Sequence, residues 1–155
     1  MTKIKVALII FLIISVFIAI FPWMVHPKKR VEITQLTIGQ TLFQVEVART
    51  SRQITQGLSG REAIGADGML FVLPQRNIPS FWMLHMKFPL DFVWIDGDRV
   101  VDVTEHVPVP ANGTPDSALP TYSPKSPVTH VLELPDGAIK KHLIQVGDVV
   151  KINEQ

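Results

Sequence analysis

The chain has no cysteine among its 155 residues, and this absence removes several kinds of chemistry together. Disulfide frameworks, thiolate catalysis and zinc sites built on Cys ligands are excluded. A lipid anchor attached to a Cys after an N-terminal signal is excluded for the same reason. The redox compartment stays open, because a chain without Cys is compatible with either side of a membrane.

The chain also lacks a surplus of charge of either sign, since 15 Lys and Arg face 14 Asp and Glu. Its longest basic run is Lys28-Lys29-Arg30. This run is much shorter than the basic stripe that a nucleic-acid-binding protein presents to phosphates. We therefore expect no nucleic-acid partner.

The common catalytic and metal-binding motifs are missing as well. No G-x-S-x-G, G-x-G-x-x-G or P-loop sequence occurs. No two His are spaced as zinc ligands in H-x-x-x-H or H-E-x-x-H. We expect no metal site and no cofactor, because the five His are scattered as His26, His85, His106, His130 and His142.

What the chain does contain is one long apolar run near its N-terminus. Lys3 and Lys5 precede a stretch that continues without a charge to Val25. This stretch has about 20 residues, enough to span a bilayer as a helix. It is apolar on every face, unlike the amphipathic helix of a protein core. We predict a membrane anchor within residues 1–30, with a transmembrane helix over residues 4–25.

A cleaved signal peptide is the alternative for this segment, because a basic start before an apolar run is typical of both. The run is long and no A-x-A-like site follows it, which favours the uncleaved anchor. The positive-inside rule decides little, since Lys3 and Lys5 nearly balance Lys28-Lys29-Arg30. A single anchor ahead of a small domain more often exports that domain. We therefore expect a single-pass protein of the cell membrane with an extracytoplasmic domain over residues 31–155.

The predicted domain is rich in turn residues, and the chain holds twelve Pro and nine Gly. This composition favours short strands joined by turns over a helical bundle. Within the first predicted hairpin, Phe43, Val45 and Val47 alternate with Gln44 and Glu46, so one face should be buried and the other wet. The two predicted hairpins pair residues 32–38 with 41–47 around Gly39-Gln40, and 91–95 with 99–104 around Asp96-Gly97-Asp98.

The elements between and after the hairpins complete a mainly β fold with one or two short helices, in a compact barrel or sandwich. A weak helix within residues 50–62 should turn Ile54 and Leu58 toward the sheet. Residues 108–127 hold six Pro and predict a long surface loop or lid without regular structure. Further predicted elements are a central strand at 69–73 closed by Pro74, a strand at 128–134, a helical turn or short strand at 138–143, and a broken strand at 144–152.

Five residues are candidates for a binding site, because they are polar or aromatic among apolar neighbours: Trp82, Met83, His85, Asp91 and Glu133. The aromatic patch around Trp82 could stack on a ligand, although such patches usually belong to a core. Asp91 could instead bond loop amides. Glu133, if it faces inward, must be paired or have a raised pKa. His85, Asp91 and Glu133 are the weak candidates for acid–base catalysis.

Six groups of residues stand in a characteristic order: Gln56-Gly57-Leu58-Ser59-Gly60-Arg61, Asp67-Gly68-Met69-Leu70-Phe71, Phe81-Trp82-Met83, Pro89-Leu90-Asp91, Val131-Leu132-Glu133-Leu134 with Gly137, and Val146-Gly147-Asp148. In order and spacing, over residues 41–152, they resemble the uncharacterised DUF192 family. The resemblance implies a compact, mostly β barrel or sandwich, frequently exported behind an N-terminal signal or anchor. It implies no established biochemical activity.

The chain departs from the family pattern in two places. Gln56-Gly57-Leu58-Ser59 stands where the family usually has R-G-L-M. Trp82-Met83-Leu84-His85-Met86 stands where it usually has W-M-K-N-T, so a polar cluster is replaced by mostly apolar residues. A ligand that relatives bind through that cluster would therefore meet a different surface in this chain.

Three functions are compatible with the sequence. The first is a membrane-anchored domain that binds a small ligand, or an envelope or protein partner, in a groove near Trp82, His85 and Asp91. The second is a hydrolase that uses Asp91, Glu133 and His85. The third is a purely structural domain. Convergence of the three acid–base candidates on one pocket would favour the enzyme, whereas carboxyls bonded by backbone amides would favour the binding domain.

Overall fold

A computed structural model describes residues 31–153 of the chain. The regular elements are β1 (Ile33–Ile38), β2 (Thr41–Ala48), α1 (Ser51–Gln56), β3 (Gly68–Asn77), β4 (Phe81–Trp82), β5 (Leu90–Asp96), β6 (Arg99–Val107), a 3-10 helix (Asp116–Ala118), β7 (Thr121–Tyr122), β8 (Val128–Pro135), α2 (Ala138–His142) and β9 (Val150–Asn153). The fold is mainly β with two short helices, as the sequence predicts.

Seven of the strands form one sheet in the order β6-β5-β8-β3-β2-β1-β9, and β4 pairs with β7 in a separate ribbon. All neighbours in the large sheet are antiparallel except β2 and β3. The two edges approach each other where Arg99 bridges Val149, and the Val100 amide donates to the Asp148 carbonyl at 3.0 Å. The sheet therefore curls into a half-barrel.

Both predicted hairpins are present. β1 and β2 pair from Ile38 opposite Thr41 outward, and β5 and β6 pair from Asp96 opposite Arg99. The predicted weak helix is α1, which Thr50 caps in a capping box with Gln53. The local turn and cap residues thus place these elements as expected from the sequence.

The sheet buries apolar side chains on both faces, because side chains along a strand alternate between the two faces. One cluster lies on the concave side around Val45, Leu70 and Leu132, and α2 packs Ile139 against it. We call this the inner core. A second cluster lies on the opposite side around Phe71, Phe92 and Trp94, where Leu58 and Met83 cover it. We call this the outer core.

Four local predictions were wrong. The predicted broken strand at 144–152 is a strand only in β9 (Val150–Asn153), preceded by an isolated bridge at Val149. Pro74 does not close β3, because the strand continues past an irregularity in its pairing with β8 and ends at Asn77. Residues 108–127 are not without regular structure, since they contain a 3-10 turn and β7, which pairs with β4. Glu46 is not on a wet face but is 7% exposed, for reasons that the site makes clear.

The predicted transmembrane helix at residues 4–25 lies outside the described residues. Within residues 31–153, no helix has both the length and the apolar character needed to cross a membrane.

Candidate functional site

Three polar side chains lie within the outer core, on neighbouring strands and a loop beside them. Glu46 of β2 is paired in register with Met69 of β3, and Met69 is paired with Glu133 of β8. Residues directly paired across strands point to the same face. The two glutamates therefore flank Met69 on one side of the sheet.

The loop after α1 supplies the cation for Glu46. Both guanidinium amino groups of Arg61 donate to the Glu46 carboxylate at 2.8 Å, which is the bidentate geometry of a strong ion pair. Gly65 makes this approach possible, because a Cβ there would lie 2.5 Å from Glu46 Oε1. The loop therefore covers Glu46 and turns a position that alternation marks as wet into a buried one.

Glu133 is buried without such a partner. It is 6% exposed, and no hydrogen bond joins its carboxyl to another residue of the described chain. No fully buried side-chain oxygen among residues 31–153 lacks a partner, so the carboxyl oxygens of Glu133 keep some accessible surface. Burial raises the pKa of this carboxyl to about 8, and the Arg61 guanidinium opposes the rise. Because Arg61 is already engaged by Glu46, the Glu133 carboxyl has no neighbouring charge that fully compensates its ionised form.

Glu133 lines a small cavity of about 30 Å³ on this face. We call it the inner cavity because it lies deeper than the groove described next, although it is on the outer-core side of the sheet. The Trp82 side chain also lines it, although Trp82 is 48% exposed and so reaches the protein surface. A cavity of this size accommodates about one water-sized group. Its other lining residues include Thr55, Gln56, Ser59, Phe71 and Met86.

A wider depression adjoins the inner cavity, which we call the groove. It has a volume of about 480 Å³ and is lined by residues of α1 and of the loop after Trp82. Thr55, Gln56 and Ser59 line both spaces, so the groove and the inner cavity are neighbours. The remaining lining residues of the groove are Ser51, Arg52, Leu84 and His85.

Hydrogen bonds fix the two walls of the groove to each other. The Ser59 hydroxyl donates to the Leu84 carbonyl at 2.6 Å, and the Gly60 amide donates to the His85 carbonyl at 2.9 Å. His85 adopts a positive φ of 54° there and is exposed. The groove is therefore part of the folded structure and does not require a rearrangement to form.

The structure separates the predicted site residues. Trp82 and Glu133 share the inner cavity, and His85 lines the groove. Met83 is 1% exposed and belongs to the outer core. The sequence predicts Asp91 near this groove, but Asp91 lines neither the groove nor the inner cavity. Its side chain lies on the opposite face of the sheet from Glu133, because Asp91 is paired with Leu134 and its neighbour Phe92 is paired with Glu133.

Asp91 has a structural environment of its own. Its Oδ1 accepts from the His106 amide at 2.9 Å and its Oδ2 accepts from the Ile139 amide at 3.0 Å. The fully buried carboxyl thereby joins β5 to β6 and to the start of α2. The three acid–base candidates do not converge on one pocket.

One cluster of possible metal ligands occurs among residues 31–153, where ligand atoms of Asp91, His106 and Asp136 lie within 4.8 Å of one another. His106 Nδ1 is 2.7 Å from Asp136 Oδ1, and this contact raises the pKa of His106. The backbone amides already engage both Asp91 oxygens. The cluster is therefore accounted for by contacts within the chain.

The sequence did not point to Arg61 or Glu46 as site residues. Arg61 stands in the first motif, but a surface Arg after a Gly carries no signal of its own. Both departures from the family pattern, however, fall on the site. Gln56, Ser59, Leu84, His85 and Met86 all line the groove or the inner cavity, so these differences change the surface that a ligand would meet.

Comparison with known proteins identifies the family but not an activity. A family model described as "Uncharacterized ACR" matches residues 34–152. No curated protein matches the chain. A protein of unknown function from Novosphingobium aromaticivorans DSM 12444 is 28% identical, with 82% of this chain and 90% of that chain covered and a TM-score of 0.69.

A second solved structure shows the same fold at lower identity. It is a protein from Sinorhizobium meliloti 1021 described as a candidate transcription regulator, 23% identical, with a TM-score of 0.71 over 81% of this chain and 97% of that one. At this identity the similarity establishes the fold alone.

Proposed function

The chain belongs to the DUF192 family, and we propose that it is a membrane-anchored protein whose extracytoplasmic β domain binds a small ligand in the groove. The observation that carries the proposal is the Glu133 carboxyl, which is buried and without a hydrogen-bond partner in the described chain but lines a cavity. Every fully buried side-chain oxygen of the described residues has a partner, so the Glu133 oxygens, which have none, are accessible to a group that enters the cavity. A ligand would supply that partner.

Trp82 supports the same assignment. A large aromatic side chain that is 48% exposed beside a cavity offers a face on which a ligand can stack. The pairing of Trp82 with Thr121 in the ribbon holds its backbone in place. The small volume of the inner cavity favours a small ligand over a protein partner.

The hydrolase alternative has less support. Asp91 and Glu133 lie on opposite faces of the sheet, and the Asp91 oxygens accept two backbone amides. General acid–base catalysis needs both groups within reach of one substrate. The structural-domain alternative predicts that no ligand changes the protein at all.

The binding proposal is tested by a thermal-shift screen of small polar compounds on the full-length chain in detergent. We expect some compounds to raise the melting temperature of the wild type by mass action. The same compounds should have little effect on Trp82→Ala. A Leu143→Ala variant is the matched control, because Leu143 is 74% exposed and lines neither space. Equal shifts in all three proteins, or no shift with any compound, would contradict a ligand site in the groove.

The membrane proposal rests on the uncharged apolar run up to Val25. It is tested by fractionating cells that produce the full chain fused at its C-terminus to alkaline phosphatase, which is active only outside the cytoplasm. We expect active phosphatase in the membrane fraction. Release of a shortened, soluble fusion would instead indicate a cleaved signal, and an inactive membrane-bound fusion would indicate a cytoplasmic domain.

A further inference from the structure

The charges around the inner cavity indicate which class of ligand it would bind. Glu46 and Arg61 cancel each other through their bidentate pair. Neither of them lines the cavity, and Glu133 is the one ionisable group among the described residues that do. When Glu133 is ionised, the cavity therefore carries one negative charge that no ion pair neutralises, and a bound cation would neutralise it.

The size of the inner cavity restricts the ligand further. A volume of about 30 Å³ admits a group about as large as a water molecule. A primary ammonium group meets this limit, and it brings three hydrogen-bond donors to a carboxylate that has none. A quaternary ammonium group, with four carbon substituents, is too large.

The surroundings of the Glu133 carboxyl fit the rest of such a molecule, because Trp82 also lines the cavity. The half-exposed Trp82 ring can contact the methylene next to the ammonium, and an aromatic face also attracts the cation itself. The adjoining groove, which shares Thr55, Gln56 and Ser59 with the cavity, offers room of about 480 Å³ for the remainder of the ligand. Its lining includes the hydroxyl and amide groups of Ser51, Thr55 and Gln56.

Resting on the proposed function of the groove, we propose that the ligand is a small molecule with a primary alkylammonium group, which enters the inner cavity and pairs with Glu133. In the empty protein the carboxyl holds a proton at neutral pH, because burial raises its pKa to about 8. When the ammonium binds, the ion pair favours the carboxylate. The O–H bond of the Glu133 carboxyl breaks and its proton passes to the solvent, while the amine keeps its own protons.

The test is isothermal titration of the full-length chain in detergent with three matched probes: propylamine, propanol and tetramethylammonium. We expect propylamine to bind roughly tenfold or more tightly than propanol, and tetramethylammonium not to bind. Titrations in buffers of different ionisation enthalpy count the protons released. We expect about 0.9 proton per propylamine at pH 7 and about 0.1 at pH 9, as follows for a group with a pKa of about 8.

Two variants separate this inference from the proposal on which it rests. Glu133→Gln should lose roughly tenfold in propylamine affinity and all proton release, whereas Glu105→Gln on the exposed part of β6 should behave as wild type. Equal binding of propanol and propylamine without proton release would overturn the ammonium assignment and leave the groove as a ligand site. If none of the three probes binds, the ammonium assignment also fails, and the wider screen decides whether the groove binds anything.

Discussion

Asp91 and Glu133 are buried carboxyls on adjacent, paired strands, yet their surroundings differ in almost every respect. Asp91 lies on the inner-core side and accepts backbone amides from β6 and α2. Glu133 lies on the outer-core side, has no hydrogen bond within the described chain and lines a cavity. A carboxyl whose oxygens are both engaged stabilises the fold, whereas one that is left unengaged destabilises it and is available to a ligand.

The largest effect should come from removing the structural carboxyl. Asp91→Ala removes the acceptor of the His106 amide and leaves the buried Ile139 amide without one, and we expect a loss of about 3 to 5 kcal/mol in the free energy of unfolding. Urea denaturation measures it. Asp116→Ala, at an exposed position, is the control and should cost less than about 0.5 kcal/mol. A loss for Asp91→Ala as small as that of the control would mean that the two amide bonds do little to stabilise the domain.

The second effect concerns Glu133 and depends on pH. The unfolded chain ionises Glu133 near the ordinary value of 4.5, and the folded chain near 8. Between these two pH values the folded state binds more protons than the unfolded state. The free energy of unfolding therefore falls as the pH rises from about 4.5 to about 8.

We expect Glu133→Gln to gain stability relative to the wild type between pH 5 and pH 9, by up to about 4 kcal/mol. The measurement is the free energy of unfolding of both proteins across the window. Glu105→Gln supplies the baseline for an exposed Glu. A pH-independent difference between Glu133→Gln and wild type would show that Glu133 ionises normally, and the contrast with Asp91 would then lose its basis.

The third prediction concerns the contribution of the Arg61–Glu46 ion pair, beside Glu133, to the stability of the fold. Arg61→Met leaves Glu46 buried without a cation, and we expect a loss of about 2 kcal/mol, since Arg61 is itself one-third exposed. The pKa of Glu133 should also rise, because Arg61 lowers it. The double variant Arg61→Met with Glu46→Gln should recover part of the stability. If it recovers none, the loss arises from the packing of the Arg61 side chain and not from the unpaired charge.

The smallest effect on stability should come from Trp82, which is half exposed. We expect Trp82→Ala to cost less than about 1 kcal/mol and to weaken ligand binding roughly tenfold. Trp94→Phe provides the opposite case, because Trp94 is fully buried and donates to Thr104 Oγ1 at 2.9 Å. The Trp94→Phe variant should be less stable than the wild type and should bind ligand as the wild type does. The same pattern in both variants would mean that Trp82 belongs to the core and not to the site.

Much of the fold could be predicted because its signals are local. The Gly39-Gln40 and Gly97 turns set the two hairpins, and Thr50 with Gln53 starts α1. The site could be predicted only in part. Trp82 and Glu133 are candidates from the sequence and both line the inner cavity, but Arg61 enters the site through its contact with Glu46, 15 residues away in the chain, which no short pattern predicts.

The assignment of faces went wrong for the same physical reason. Alternation along β2 correctly separates Glu46 from Phe43 and Val45, but it does not reveal that a loop covers the second face. For Asp91 and Glu133, the sequence establishes that each carboxyl stands among apolar neighbours. It does not specify how β5 and β8 are aligned, and a shift of one residue in that alignment would place both carboxyls on the same face.

The sequence by itself thus determined the family, the mainly β fold, the hairpins and the apolar run at the N-terminus, because these depend on residue types at short spacing. Only the tertiary structure decided which of two similar carboxyls anchors the fold and which lines a cavity. That difference depends on strand register and on the loop carrying Arg61, both of which join residues distant in the chain. Burial and hydrogen bonding are properties of the assembled neighbourhood, and they decide the chemistry of a carboxyl.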